Sequence, residues 1–303
     1  MVKPIRTTYT GTLIIQLMLS AILPGLLAAC YDHKEPIEEL EVMVYQDIRY
    51  AQTTGVAANR QSLDIYTVMS GASGQQHESR PVMIMIHGGG WHTGDKANAN
   101  LVRYKAPHFV GSGYVYVSIN YRLSAEATDP KHPAHVQDVA KAIAWVHNHI
   151  SDYGGDPDQI FIMGHSAGAH LAALVSVDHR RLEAEDKAPG IIKGTICLDS
   201  AACDIPRHIN ELGAGPRMRQ LYENAFGTTE AAWIDASPRY HVGYDKNIPP
   251  ILFFHTGERA VAELLANELV TALREVDTPA RAIHAADRDH AGINEYIGQP
   301  GDP

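Results

Sequence analysis

The chain has 303 residues, 45% of them hydrophobic and 20% charged, with a formal net charge of −10 at pH 7. That length accommodates one α/β domain of ordinary size or two small ones, each with a usable core. The acidic balance and the lack of any Lys/Arg cluster argue against nucleic-acid binding, which depends on neutralising phosphates.

The N-terminus has a basic start, Lys3 and Arg6, then an apolar run from Leu13 to Ala29 that is interrupted by Gln16, Ser20 and Pro24-Gly25. A basic region, a short apolar stretch and small residues before a cleavage point describe a secretory signal. The Pro-Gly pair and the modest length argue against a permanent membrane span, which needs about 20 apolar residues. The ending Leu27-Ala28-Ala29-Cys30 resembles a bacterial lipobox. That resemblance implies cleavage before Cys30, diacylation of its thiol, and an exported protein anchored to a membrane by lipid. On this reading residues 1–30 are the signal, 31–49 a polar tether and first strand region, and 50–303 the folded domain. Processing leaves two further cysteines, Cys197 and Cys203. Cys197 sits in an apparent buried strand, so both are expected as free thiols, although an oxidising compartment would permit pairing.

From Gln61 onward short apolar runs alternate with amphipathic stretches. Leu63-Asp64-Ile65-Tyr66-Thr67-Val68 alternates like a half-buried strand. A polar, glycine-rich loop follows at Ser70 to Gly74. Val82 to Ile86 and Tyr114 to Ile119 are continuous apolar runs, as strands buried on both faces require. Val136, Val139, Ala140, Ile143, Val146 and Ile150 recur at helical spacing after Pro133, a residue suited to a first helical turn. His147 and His149 fall on that helix at i and i+2, where they point in different directions. With the other histidines scattered, and neither His-Glu-x-x-His nor Cys-x-x-Cys in the chain, no metal site is expected.

Gln159 to Met163 reads as a further strand, followed by an Ala/Leu-rich helix over Ala169 to Val177. Gly194 to Leu198, Pro250 to Phe254 and Ala280 to His284 complete the strands, with a helix from Ala262 to Arg274 between the last two. Strands alternating with helices predict a mostly parallel, doubly wound α/β sheet. The connection from Asp204 to Asn247 is too long for a plain turn. Its Met218, Leu221, Tyr222, Phe226 and Trp233 suggest a small helical cap over about 205–247.

The chemistry centres on Gly164-His165-Ser166-Ala167-Gly168, placed between a buried strand and a helix. A nucleophile on a sharp strand-to-helix turn needs very small residues two positions either side. The helix N-terminus that follows also favours developing negative charge. His87-Gly88-Gly89-Gly90-Trp91 follows the strand Val82 to Ile86. Glycines there let main-chain N–H groups approach a substrate oxygen, each worth about 3 kcal/mol to an oxyanion. The expected donors are the amides of Gly88, Gly89 and Ala167, with His87 structural beneath the loop.

Partners of such a serine follow in the order acid, then histidine. The base is assigned to His290, beyond the last strand, because His255 and His284 lie inside strands. The acid is assigned to Glu258, in the loop after the strand Pro250 to Phe254, where it would fix the His290 tautomer. Asp199 and Asp204, after the preceding strand, are its rivals. Asp287 and Asp289 are too near His290 in sequence.

From about Tyr50 to the end the chain resembles the α/β-hydrolases. Within them it is similar to the esterase arm of hormone-sensitive-lipase-like, feruloyl-esterase-like and kynurenine-formamidase-like enzymes. The resemblance is carried by Leu63-Asp64-Ile65-Tyr66, the His87 to Trp91 loop with Gly94-Asp95-Lys96, Asn120-Tyr121-Arg122-Leu123, Gly154-Gly155-Asp156-Pro157, the serine motif, Ala236-Ser237-Pro238 and Asp289-His290. It implies ester hydrolysis through an acyl-serine intermediate, without cofactor, on small or aryl esters. An aryl formamidase-type amide hydrolase shares the same machinery, and a non-catalytic surface module on the same fold is the remaining alternative. Two departures stand out. The family commonly places an Asp after a His-Gly pair where this chain reads His255-Thr256-Gly257-Glu258, and relatives usually continue beyond Gly301-Asp302-Pro303 into a final helix. Oligomeric state is not legible in the sequence.

Overall fold

The apolar runs expected as strands lie side by side in a computed structural model that describes residues 4–9, 40–68, 79–125, 129–257 and 259–302. Cys30, expected to be lipidated, most of the stretches expected as signal and tether, the Ser70 to Gly74 loop and Glu258 lie outside the described residues. Among the described residues nine strands form one sheet: β1 (Ile5–Tyr9), β2 (Leu40–Arg49), β3 (Ser62–Val68), β4 (Arg80–Ile86), β5 (Val115–Ile119), β6 (Gly155–His165), β7 (Ile192–Leu198), β8 (Ile251–Thr256) and β9 (Ala280–Ala285). Their order is β1-β2-β3-β5-β4-β6-β7-β8-β9. The pairs β4–β5, β4–β6, β6–β7, β7–β8 and β8–β9 are parallel, whereas β1–β2, β2–β3 and β3–β5 are antiparallel. The chain winds to one side of β4 to make β5 and then to the other to make β6. The crevice at the carboxyl ends of β4 and β6 is therefore the topological switch point where open α/β sheets place ligands.

Strand periodicity divides the core between the two faces. Val82, Ile84 and Ile86 join one buried cluster with the helices Ala134–His149 and Ala167–Val177, while Met83 and Met85 join a second with Leu101, Ala106, Val110 and Ile293. Fully burying such side chains contributes about 1.5–3 kcal/mol each before chain entropy is set against it. Every residue of the Ala167–Val177 helix is buried, which suits a segment apolar all round rather than on one stripe.

Two local expectations change. The strand around Leu63 is buried along both faces from Ser62 to Thr67 instead of half-buried. Its alternation is misleading because Asp64, fully buried, is compensated: the Lys96 ammonium reaches Asp64 Oδ1 and Asp47 Oδ1, each at 2.8 Å. At the N-terminus, Ile5–Tyr9 pairs antiparallel with β2 as an edge strand, so Arg6, read as part of a basic leader, lies in the sheet opposite Met43. β2, Leu40–Arg49, lies within the stretch 31–49 expected to hold a tether and the first strand region. Elsewhere the expected elements appear with ends shifted by a few residues, and the long connection folds as the helices Ile205–Asn210, Pro216–Phe226 and Glu230–Asp235. Cys197 and Cys203 are free and buried. No helix among the described residues is long and apolar enough to cross a membrane.

The turn between β6 and its helix is limited by backbone contact. A Cβ at Gly164 would stand 2.1 Å from Gly168 O, and one at Gly168 would stand 2.1 Å from Ile86 O. Gly168→Ala is accordingly expected to lose about 2–4 kcal/mol in urea denaturation, or to give no soluble protein. Gly190→Ala, where a Cβ meets nothing within 4 Å, should stay within about 0.5 kcal/mol of wild type.

Candidate active site

Ser166 sits at the point where β6 becomes helix, with φ 53° and ψ −116°. A left-handed backbone at a residue carrying a Cβ costs of order 1–3 kcal/mol and persists only where its surroundings impose it. Here the two flanking glycines allow the tight turn, and the Ser166 amide donates to Leu198 O at 2.8 Å, tying the turn to the end of β7. The side chain is left partly exposed at the carboxyl edge of the sheet.

His290 reaches Ser166 from the loop after β9. Ser166 Oγ and His290 Nε2 are 3.2 Å apart, and His290 Nδ1 lies 2.7 Å from Asp199 Oδ2. With the ring proton on Nδ1, the imidazole donates to Asp199 and accepts from the serine hydroxyl. Asp199 follows β7, has φ 52°, and is fully buried. Its amide donates to Phe254 O, and its Oδ2 also accepts from Thr256 Oγ1 at 2.9 Å and Arg259 Nη1 at 3.0 Å. Burial alone would raise this carboxyl. The His290 hydrogen bond, the Arg259 and His290 charges and the Thr256 bond outweigh it and hold Asp199 below the ordinary carboxylate value.

The structure thus joins Ser166 and His290 as expected, and among the described residues the carboxylate on His290 Nδ1 is that of Asp199, the rival to Glu258; Glu258 lies outside the described residues. Asp204 is occupied elsewhere, its Oδ1 accepting from the Arg207 amide as the cap of the Ile205–Asn210 helix. Asp289 similarly accepts from the Gly292 amide, and Asp287 pairs with Arg288. His255 and His284 stack on each other within β8 and β9, with ring centroids 5.0 Å apart.

The glycine loop after β4 faces the serine. A Cβ on Gly88 would lie 2.8 Å from His165 O and 3.2 Å from Ser166 Cβ, so only glycine lets the main chain approach this closely. Gly89 and Gly90 have φ of 110° and 60°. Among the described residues the amides of Gly88, Gly89 and Ala167 donate to no other backbone group outside regular elements, which leaves them available beside Ser166. His87 lies beneath, stacked on Tyr121 with centroids 4.3 Å apart, and burial pushes its imidazole down to about 4, so it is neutral and structural.

Residues 63–271 match the BD-FAE family model. The chain belongs to the BD-FAE family. It is 40% identical over 162 residues to esterase LipQ of Mycobacterium tuberculosis, covering 51% of this chain and 35% of that protein. It is 33% identical over 204 residues to a probable carboxylic ester hydrolase, LipM, of the same organism, covering 65% and 45%. The chain thus spans less than half the length of either. Among solved structures it is similar to a truncated carbohydrate esterase from gut microbiota, with TM-score 0.65, 22% identity, and 82% and 90% of the two chains covered. It also resembles an inhibited esterase B from Lactobacillus rhamnosis, with TM-score 0.66, 19% identity, and 86% and 82% covered. These structures share the α/β-hydrolase fold of the sheet described above.

In this BD-FAE chain the Pro216–Phe226 helix, within the stretch expected as a cap, is fastened to the glycine loop by Trp91. Trp91 is buried and donates through Nε1 to His170 Nδ1 at 3.2 Å, and His170 in turn donates through Nε2 to Ala236 O at 2.6 Å. The Trp91 ring packs on Phe226 and Tyr222 of the Pro216–Phe226 helix. Leu221 of that helix lies above Gly90, 3.1 Å from where a Cβ would stand. Among the described residues no group of His, Cys, Asp and Glu side chains is arranged to hold a metal.

Two basic side chains, His165 and Lys105, hold the loop that carries His290, and neither was assigned from sequence. His165, the residue before the serine, donates through Nε2 to His290 O at 2.7 Å, and the two rings lie 4.7 Å apart. Burial pushes the His165 imidazole down to about 3, leaving it neutral. Lys105, fully buried on the helix Lys105–Gly111, donates to Asn100 O at 2.8 Å and to Asn294 O, just beyond His290. Two acceptors satisfy a neutral amine and leave the third proton of an ammonium without a partner. Burial accordingly pushes Lys105 down to about 7 from an ordinary 10.5, against the weaker pull of Asp302 and Glu295. Between those two values the unfolded chain holds a proton that the folded chain does not, so this group makes stability rise with pH. Urea denaturation of wild type and Lys105→Met at pH 7.5 and 9.5 should show the wild type gaining at least about 1 kcal/mol relative to the variant.

Proposed function

We propose that this BD-FAE domain is a carboxylic ester hydrolase that acts through an acyl-serine intermediate on small or aryl esters. The observation that carries this reading is the continuous hydrogen-bonded series from Asp199 through His290 to Ser166, set beside three unpaired amides. Esterase and carboxylic ester hydrolase are also what the LipQ and LipM relatives are named.

The chemistry follows from the positions of the donors. Ser166 Oγ attacks the ester carbonyl carbon while its proton passes to His290 Nε2. The carbonyl oxygen becomes an oxyanion, and the Gly88, Gly89 and Ala167 amides donate to it. Asp199 stabilises the resulting imidazolium and fixes the tautomer. His290 then gives its proton to the departing alkoxide, breaking the C–O bond and leaving the acyl-serine. Water attacks that ester with His290 again taking the proton, and the carboxylic acid leaves as Ser166 regains its hydrogen. Leu221, Trp91 and the Pro216–Phe226 helix supply the apolar boundary next to the glycine loop.

Hydrolysis of p-nitrophenyl acetate tests the assignment. Ser166→Ala should fall to background, and Asp199→Asn should lose about 10³–10⁴ in kcat, because the amide reverses the donor pattern at Nδ1. Glu258→Ala should retain activity within about threefold, a change in barrier of less than about 1 kcal/mol, because Asp199 already holds His290 Nδ1. Activity unchanged in Ser166→Ala rejects the nucleophile, and loss in Glu258→Ala with retention in Asp199→Asn returns the acid to the loop after β8.

We further infer that Cys30 is lipidated and that the domain is held at a membrane after export. The basic start, the interrupted apolar run and Leu27-Ala28-Ala29-Cys30 support this. Expressed in a bacterium with lipoprotein processing, the wild type should sediment with membranes and incorporate labelled palmitate, and Cys30→Ala should do neither. Soluble, unlabelled wild-type protein would remove the anchor.

A further inference from the structure

The Pro216–Phe226 helix buries Tyr222, Ala225 and Phe226, which recur at i, i+3 and i+4 and form one stripe. Leu221 stands beside that stripe rather than in it. It is half-buried and belongs to neither apolar cluster of the described residues. Its two Cδ atoms lie 3.1 and 3.2 Å from where a Cβ on Gly90 would stand. Gly90, at φ 60°, carries no side chain, so the leucine methyls close directly on the backbone of the glycine loop. Trp91, the next residue of that loop, is buried against Tyr222 and Phe226, which fixes the distance between helix and loop.

The two sides of Ser166 are supplied from opposite faces of the sheet. Tyr222 and Phe226 join the cluster of Val82, Ile84 and Ile86, whereas Ile293, close behind His290, joins that of Met83 and Met85. Successive side chains of a strand point to opposite faces, so the Pro216–Phe226 helix and the His290 loop reach the serine from opposite directions. In the hydrolysis proposed above, the tetrahedral carbon on Ser166 Oγ carries three other substituents. The oxyanion faces the Gly88, Gly89 and Ala167 amides, and the leaving oxygen faces His290 Nε2 to receive its proton. The acyl chain takes the remaining direction, away from His290, on the side that Leu221 covers.

We propose that Leu221 is a specificity-determining residue: its side chain closes the acyl site above Gly90, so that the domain favours short acyl groups over long ones. The substrate class narrows to esters of short aliphatic acids, with variation admitted on the alcohol side. A side chain that bounds an apolar site discriminates by exclusion, and one methylene accepted or refused there changes kcat/KM by about 10–200-fold. This inference rests on the reading of Ser166 as nucleophile and His290 as base.

The test is kcat/KM on p-nitrophenyl acetate, butyrate and hexanoate, and on phenyl and 1-naphthyl acetate. Wild type, Leu221→Ala and Leu221→Phe are compared, each checked for folding by its Tm. Wild type should lose at least about tenfold from acetate to hexanoate. Leu221→Ala should raise the hexanoate-to-acetate ratio by about tenfold or more, and Leu221→Phe should lower the butyrate-to-acetate ratio by a similar factor. The 1-naphthyl-to-phenyl ratio should stay within about twofold of wild type in both variants, because the leaving group lies on the His290 side. A helix that had merely loosened would change every substrate by one factor and move no ratio, so unmoved ratios in a folded Leu221→Ala overturn the proposal. A wild type that prefers hexanoate overturns it too, as does a change confined to the naphthyl ratio, which puts the alcohol under Leu221. If Leu221→Ala does not fold, Leu221→Val is read in the same way; failure of both assigns Leu221 to folding and also overturns it. Ser166→Ala run alongside separates the two levels. An active Ser166→Ala removes the underlying reading, whereas an inactive Ser166→Ala with unmoved Leu221→Ala ratios removes only the role of Leu221.

Discussion

Asp199 carries its carboxylate in a position with no solvent exposure, and a charge there persists only if donors from the protein replace water. Those donors come from three places: Thr256 at the end of β8, Arg259 in the loop beyond it, and His290 after β9. They converge because β7, β8 and β9 are parallel neighbours, so their carboxyl ends share one edge of the sheet. The placement of His290 against Ser166 is a further consequence, since the imidazole is held at Nδ1 by Asp199 and at its backbone carbonyl by His165. A shift of one strand relative to the next would separate the carboxylate from its donors and the base from the serine together.

The opposite side of the site is governed by contact distance rather than charge. Gly88, Gly164 and Gly168 bring the loop after β4, the end of β6 and the start of the following helix within backbone contact. The helix is apolar all round and buried along its length, so it has little freedom to relax away. Rigidity here and electrostatic compensation at Asp199 serve one arrangement: amide donors on one flank of Ser166 and a base on the other. Trp91 extends the same rigid unit to the cap through His170, Tyr222 and Phe226.

Much of this was legible in the chain. The runs at Val82 to Ile86 and Gln159 to Met163 announce central strands because a strand covered on both faces has no polar side, and both became strands of the parallel part of the sheet. Ser166 is legible because a turn that sharp excludes side chains at its flanks. His290 is legible because the other late histidines fall inside strands. Asp64 misled for a related reason: alternation normally marks a solvent-facing side, yet a lysine distant in sequence supplies its counter-charge. Edge strands such as Ile5–Tyr9 carry a weak pattern, and their pairing depends on β2 presenting a free edge.

The acid of the series marks the boundary between the two kinds of information. Local composition determined the elbow, the glycine loop and the strand–helix alternation, since each of these is a constraint on neighbouring residues. It did not distinguish Asp199 from Asp204 or Glu258, because a carboxylate in a loop after a strand looks the same in sequence wherever its side chain ends. Only the tertiary structure decided which oxygen meets His290 Nδ1. That choice depends on strand register, on the left-handed turn at Asp199 and on donors from separate loops, all of them distances between residues far apart in the chain.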